Sequence, residues 1–135
     1  MSYIPPYEVL KQKVRVIGSN GNGSSKGRID MKYDDFTDLI KLMLRAVAVN
    51  EAWYCTRYPD VAEAIKAGTY KSAKHHFVEE GYFEDRLPYE FFVDEAWYIA
   101  NYPDIAVGIK GGSIESPKEH FMSHGYREGR LPKEY

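Results

Sequence analysis

The sequence predicts a mainly α-helical protein with an N-terminal β-hairpin arm, one long amphipathic helix and two tandem three-helix repeats. An internal duplication is the first observation behind this prediction: residues 49–90 align with residues 93–134 without a gap, and 23 of the 42 aligned positions are identical. The second is the spacing of apolar residues, which alternates in the arm and becomes helical after it. We therefore divide the chain into an arm, residues 1–33, and a helical domain, residues 34–135.

The arm contains two alternating stretches, residues 12–17 and 28–33, joined by a loop of Gly, Asn, Ser and Lys at 18–27. Such a pattern predicts a β-hairpin. An isolated two-stranded hairpin is only marginally stable in water, so we expect a homo-oligomer that is joined through the arm. An alternative is a short helix from Tyr7 to Val16.

The arm is basic, whereas the rest of the chain is acidic. Residues 1–33 carry six Lys/Arg and two acidic residues, and residues 34–135 carry 12 basic and 18 acidic ones. The arm could therefore bind an anionic ligand, either nucleic acid or an acidic glycan, or it could lie on an acidic body, its own or that of a neighbouring subunit. The candidate residues for an anionic ligand are Lys11, Lys13, Arg15, Lys26, Arg28 and Lys32.

A long amphipathic helix is predicted over about residues 35–48. Its apolar side chains fall at helical spacing from Phe36 to Val47, and Asp34 or Asp35 can cap its N-terminus.

Each repeat is predicted to contain three short helices. The first starts after an N-cap and ends before a Tyr-Pro pair, because the residue that precedes proline is disfavoured in helices. The second starts at that proline and ends at a glycine. The third starts after a serine cap and ends at a second glycine. In repeat one these boundaries are Asn50, Tyr58-Pro59, Gly68, Ser72 and Gly81, and in repeat two they are Asp94, Tyr102-Pro103, Gly112, Ser116 and Gly125.

A helical unit of this size buries its apolar side poorly alone, so we expect the two repeats and the preceding helix to share one core. The predicted core is Phe36, Leu39, Ile40, Met43, Leu44, Trp53, Tyr54, Val61, Ile65, Phe77, Trp97, Tyr98, Ile105, Ile109, Phe121 and Met122. The predicted structural positions of the repeat are Trp53, Tyr58, Asp60, His76, Arg86, Trp97, Tyr102, Asp104, His120 and Arg130. We expect each arginine to pair with Asp60 or Asp104, and each histidine to bond to backbone near the Tyr-Pro-Asp turn.

The ordered elements Trp-Tyr, Tyr-Pro-Asp, His-Phe and Gly-Tyr-x-Glu-x-Arg-Leu-Pro recur in both repeats. This pattern resembles a short bacterial helical repeat that often occurs in tandem beside glycosyltransferase or other polysaccharide-related domains. The resemblance covers residues 49–134 and implies no catalytic role. Repeat one departs from the Glu-Gly-Arg tail of that family, because Asp85 stands where repeat two has Gly129.

Other candidate sites are weaker. His120 and His124 lie four residues apart in a predicted helix and could form half of a zinc site, which would need further ligands. Trp53 and Trp97 could stack on sugar rings, although their matching repeat positions favour packing. We expect no cofactor and no catalysis, with an enzyme built on the helical histidines as the remaining alternative.

The predicted function is that of a non-catalytic interaction or assembly module that self-associates. Its expected context is a bacterial polysaccharide or cell-envelope process, and its protein partner is unknown. The alternative is an anionic-ligand binder that uses the basic arm. No apolar run is long enough to insert into a membrane, and no secretory signal is apparent. Cys55 is the single cysteine, so no disulfide can form within the chain. These features predict a cytoplasmic protein.

Overall fold

The computed structural model describes Tyr7, Gln12, the backbone of Arg15–Ile17 and residues 28–135. In this part of the chain the protein is mainly helical, as predicted, and none of its helices is long and apolar enough to cross a membrane. The helices are α1 (Tyr33–Leu44), α2 (Glu51–Arg57), α3 (Pro59–Lys66), α4 (Ala73–Glu79), α5 (Glu95–Asn101), α6 (Pro103–Lys110) and α7 (Pro117–His120), with a 3-10 turn at Gly81–Glu84 and a π-helical segment at Phe121–Gly125.

Two short strands precede α1. β1 (Arg15–Ile17) pairs antiparallel with β2 (Arg28–Asp30), and Val16 lies opposite Ile29. Tyr7 is helical, as the alternative helix requires, but Gln12 lies in a turn and Val16 in a strand, so that helix does not extend to its expected end. The loop at 18–27 and most of the remaining arm lie outside the described residues, so the hairpin as a whole stays a prediction.

Helix α1 starts and ends earlier than predicted. Its cap position is Lys32, whose side chain makes no capping hydrogen bond. The predicted capping by Asp34 or Asp35 is therefore wrong. Both carboxylates lie in the first helical turn, where their negative charge interacts favourably with the positive end of the helix dipole. After Leu44 the chain turns, and Val47 and Val49 pack against the core of repeat one.

The predicted caps of the repeat helices are confirmed. The side chains of Asn50 and Asp94 each accept a hydrogen bond of 3.0 Å from the backbone N–H three residues later. Ser72 and Ser116 do the same at 3.0 Å. These bonds satisfy N–H groups that a helix leaves unpaired, so the sequence alone fixes where these helices start.

The four glycines that were predicted to end helices have two different roles. Gly68 and Gly112 follow α3 and α6 with positive φ angles, as expected of helix stops. Gly81 and Gly125 have another role, because a Cβ on either would overlap a tyrosine hydroxyl of the same repeat. In repeat one α4 ends at Glu79, two residues before Gly81, whereas in repeat two the π-helical segment includes Gly125 as its last residue.

The expected common core is replaced by two separate clusters. Repeat one buries Leu44, Tyr54, Val61, Ala73, Phe77 and Val78, the first of which belongs to α1. Repeat two buries Val93, Tyr98, Ile105 and Phe121. Each repeat closes on itself, since the N–H of Asn50 donates to the carbonyl of Pro88 at 3.0 Å and that of Asp94 donates to Pro132 at 2.9 Å. The last residues of each repeat are thus hydrogen-bonded to the cap residue of its first helix.

Phe36 and Met43 were predicted to be buried, yet their side chains are 46% and 39% exposed. The reason for Phe36 is that α1 meets repeat one only in its C-terminal half, where Leu44 is buried and Ile40 packs beside it. Phe36 lies on the same stripe, four residues before Ile40, but beyond this contact. The opposite face of α1 has no covering element in the described part of the chain. Leu39, Trp53, Ile65, Trp97, Ile109 and Met122 are half-buried.

Candidate functional site

A tyrosine–histidine pair lies in the core of each repeat. The hydroxyl of Tyr54 lies 3.0 Å from Nδ1 of His76, and Tyr98 lies 3.0 Å from Nδ1 of His120. Both imidazoles are buried, and the predicted bond to backbone near the Tyr-Pro-Asp turn is wrong. Burial raises the pKa of Tyr54 and lowers the pKa of His76, so burial favours the neutral form of both side chains. In repeat two, burial raises the pKa of Tyr98 to about 12.

The predicted arginine–aspartate pairs are confirmed. Arg86 donates through both terminal nitrogens to the two carboxylate oxygens of Asp60, at 3.0 and 2.8 Å. Arg130 binds Asp104 in the same way, at 2.9 and 2.7 Å. These hydrogen bonds lower the pKa of both aspartates. Bidentate pairing fixes orientation as well as contact, so each pair sets how the tail of its repeat meets the second helix.

The aromatic residues of the Tyr-Pro turn complete this network. The guanidinium of Arg86 lies 4.9 Å from the ring centre of Tyr58, whose hydroxyl accepts from the N–H of Leu87 at 2.9 Å. Trp53 packs edge-on against the same tyrosine, with ring centres 6.4 Å apart. Repeat two has the matching contacts around Tyr102. The two tryptophans therefore pack within their own repeats, and Arg57 lies over Trp53 at 5.4 Å from its ring.

The histidine pair proposed for a metal is stacked rather than convergent. The rings of His120 and His124 have centres 5.7 Å apart and nearly parallel planes. His120 Nδ1 is occupied by Tyr98, and His124 Nδ1 lies 2.7 Å from the hydroxyl of Ser123. Among the described residues, no three His, Cys, Asp or Glu side chains are grouped to hold a metal ion.

The basic residues of the arm are only partly visible. Arg28 and Lys32 are exposed, and the backbone of Arg15 lies in β1. Lys11, Lys13 and Lys26 lie outside the described residues. The grouping of all six residues therefore stays a prediction.

A groove that the sequence analysis did not predict lies between α1 and the end of repeat one. Its volume is about 300 Å³, and we call it the α1 groove; it is lined by Tyr33, Thr37, Lys41, Glu79, Glu80, Phe83 and Glu84. An ion pair of 2.8 Å between Lys41 and Glu79 joins its two walls. The groove depends on where α1 packs, which local patterns do not encode. One signal was present: Phe83 is matched by Arg127 in repeat two.

Two further clefts lie between the repeats, with volumes of about 370 and 570 Å³. Both include Arg57, Met122 and Ser123, so they adjoin each other. Their walls carry acidic and basic side chains in similar number, which gives no preference for an ion of either sign.

The polar pairs described above lie within their own repeats. The Tyr54 and Tyr98 side chains are fully buried. Each tail arginine is bound to its aspartate through two hydrogen bonds. Comparison with known proteins adds no assignment: no protein-family model matches the chain, and no curated protein or solved structure matches it.

Proposed function

We propose that the chain is a non-catalytic interaction and assembly module that associates with copies of itself through its arm. The observation that carries this proposal is the exposure of β2, all of whose residues face solvent, with Ile29 62% exposed. A two-stranded ribbon with an uncovered apolar side chain is marginal in water and gains stability when another surface covers it. The adjoining helix α1 also leaves Phe36 and Met43 exposed.

The polar network of the repeats supports a structural role for them. Tyr54 pairs with His76, and Asp60 pairs with Arg86, within repeat one. Hydrogen bonds of this kind fix the shape of the repeat. The repeats would then present a rigid surface, and the arm would join the copies.

We also propose that the repeats belong to the bacterial helical-repeat family that they resemble, and that the protein works in the cytoplasm in a polysaccharide or cell-envelope process. Support comes from the family motif itself: Tyr-Pro-Asp and the tail arginine meet in the same bidentate pair in both copies. Retardation of the protein in gels that contain bacterial exopolysaccharide would support a direct link. Unchanged mobility over a range of such polymers would limit the proposal to assembly.

The decisive experiment is light scattering after size exclusion on the full chain and on a shortened chain that starts at Lys32. We expect a defined oligomer for the full chain and a monomer for the shortened one, with circular dichroism to check that both are helical. Monomers in both samples would contradict self-association. An oligomer in both would contradict the role of the arm.

Binding of an anionic ligand is the second candidate function. It is favoured by Arg28 and Lys32, which are exposed and form no ion pair within the described part of the chain. Affinity for a nucleic acid or an acidic glycan should then fall steeply with salt. The double variant Arg28→Glu/Lys32→Glu should lose that binding, whereas binding that is insensitive to salt and to these changes would exclude this function.

A further inference from the structure

We propose that the α1 groove is the docking site for the basic arm of a second copy of the chain. This inference rests on the proposed self-association and adds where on the body the arm binds. Its grounds are the exposed N-terminal half of α1, the charge and aromatic character of the groove, the exposed course of β2 and a difference between the two repeats.

The groove lies beside the exposed N-terminal half of α1. Helix α1 buries Leu44 near its C-terminal end, whereas Phe36, two turns earlier, stays exposed. Tyr33, at the N-terminal end of the groove, is 74% exposed, and Phe83 on the other wall is 38% exposed. Exposed aromatic side chains that flank one groove are typical of interaction sites, because covering them removes apolar area from water.

The groove has the chemistry of a site for a cationic side chain. Its lining contains three glutamates and one lysine. Lys41 pairs with Glu79 at 2.8 Å, and Glu84 is held by Arg86 at 2.8 Å. Glu80 is exposed, is hydrogen-bonded to Tyr70, and forms no ion pair with any described residue. Carboxylates in a groove that also exposes aromatic rings attract lysine or arginine by ion pairing and by cation–π contact.

The arm is the complementary segment within the same sequence. Residues 1–33 carry a net charge of about +4, whereas residues 34–135 carry about −6. Complementary charge steers association between such surfaces and selects the partner. No other segment of comparable length has this excess of positive charge, so the arm is the occupant to which the groove is matched.

The exposed path of β2 indicates that the arm in the groove comes from a second copy and not from the same chain. This strand ends three residues before Tyr33, and each of its residues is exposed. The described end of the arm therefore does not lie on the body of its own chain. Two copies that exchange arms would each provide one arm and one groove, which is the self-complementary arrangement of a two-fold dimer.

The two repeats differ where the groove requires it. Glu79, Glu80 and Phe83 of repeat one correspond to Ser123, His124 and Arg127 of repeat two. The hydrogen-bonded network is the same in both repeats, so the fold of a repeat does not demand an acidic and aromatic surface at these positions. The groove surface is thus a property of repeat one alone, next to α1.

This difference supplies a test with residues that the fold already accepts. The full-length double variant Glu80→His/Phe83→Arg places the residues of repeat two in the groove. We expect its oligomer dissociation constant, measured by sedimentation equilibrium, to rise by at least about tenfold, because an attractive pair of contacts becomes repulsive. The matched control His124→Glu/Arg127→Phe makes the reverse change on repeat two and should leave the dissociation constant unchanged.

A mixing experiment separates exchange between copies from binding within one chain. The full-length variant Lys11→Glu/Lys13→Glu keeps the groove but weakens the arm, and Glu80→His/Phe83→Arg keeps the arm but loses the groove. Each alone should be mainly monomeric, and an equimolar mixture should form a heterodimer with one working contact. If each variant is monomeric alone and their equimolar mixture also stays monomeric, docking of the arm in a second copy is wrong.

The two proposals fail in different ways. If the full chain is an oligomer and the groove variant, still folded by circular dichroism, assembles like the wild type, docking in the α1 groove is wrong while self-association stands. If the unmodified full chain is monomeric at all concentrations, self-association itself is wrong, and the groove inference fails with it.

Discussion

Asp85 and Gly129 occupy the same position in the two repeats and share a left-handed backbone, with φ angles of 60° and 73°. This conformation suits glycine, whereas a side chain there is strained by roughly 1 kcal/mol. Gly129 also has no atom near the place where a Cβ would stand, so the strain comes from the backbone alone. The departure of repeat one from the Glu-Gly-Arg tail therefore lowers its stability.

The first prediction exchanges these residues. Asp85→Gly should raise the free energy of unfolding by about 0.5–1 kcal/mol, and Gly129→Asp should lower it by a similar amount. Urea unfolding, monitored by circular dichroism, measures the free energy of unfolding of both variants. A loss of stability in Asp85→Gly would show that the Asp85 side chain makes a contact stronger than the strain.

The second prediction concerns pH. Because burial lowers the pKa of His76 in the folded state, the unfolded chain takes up a proton near pH 6.5 that the folded chain resists. The free energy of unfolding should therefore fall as the pH drops from 7 to 5, and His76→Gln should reduce this fall. Asp60, whose pKa is lowered by Arg86, changes stability only below about pH 4, so the two effects separate. Equal pH dependence in both proteins would contradict this account.

At the scale of elements, the third prediction addresses how α2 meets the end of α4. The Tyr54 hydroxyl fills the space beside Gly81 that a Cβ would need. Gly81→Ala should therefore cost about 1–3 kcal/mol in unfolding free energy, because one of the two groups must move. Adding Tyr54→Phe should restore part of the loss, since the hydroxyl is removed, while the Nδ1 atom of His76 stays unpaired. Additive losses in a double-mutant cycle would exclude this contact.

The boundaries of the repeat elements could be predicted because their causes are local. Asn50 caps a helix through an N–H only three residues away, and Pro59 starts the next helix by its fixed φ angle. The pairing of Arg86 with Asp60 followed from opposite charges at matching repeat positions. These parts of the candidate site needed no knowledge of the tertiary structure.

Features that depend on which surfaces meet could not be predicted. The apolar spacing of α1 identified a helix, but it could not tell that Leu44 is buried while Phe36 stays exposed. The tyrosine–histidine bond joins residues 22 positions apart, and its one trace in the sequence is the glycine that makes room for the hydroxyl. The α1 groove was missed for the same reason, because two distant segments build its walls.

For the whole molecule, the two separate core clusters imply two folding units. The fourth prediction is that Phe121→Ala, at a cost of about 3–5 kcal/mol, weakens hydrogen-exchange protection in repeat two and leaves that of repeat one nearly unchanged. Phe77→Ala is the matched change in repeat one and should give the opposite pattern. Equal loss of protection in both repeats would show that the contacts between them make one cooperative unit.

The closing hydrogen bonds from Asn50 to Pro88 and from Asp94 to Pro132 have a consequence for how such proteins lengthen over time. Each repeat supplies, from its own tail, the carbonyl that accepts from the N–H of its first cap residue. Such a repeat is a self-contained unit, here called a cassette. Copying 44 residues in frame at the junction between the repeats would leave no broken helix, no open core and no donor without an acceptor. Duplication of this cassette needs no compensating mutation elsewhere, so the number of units can change in one genetic event.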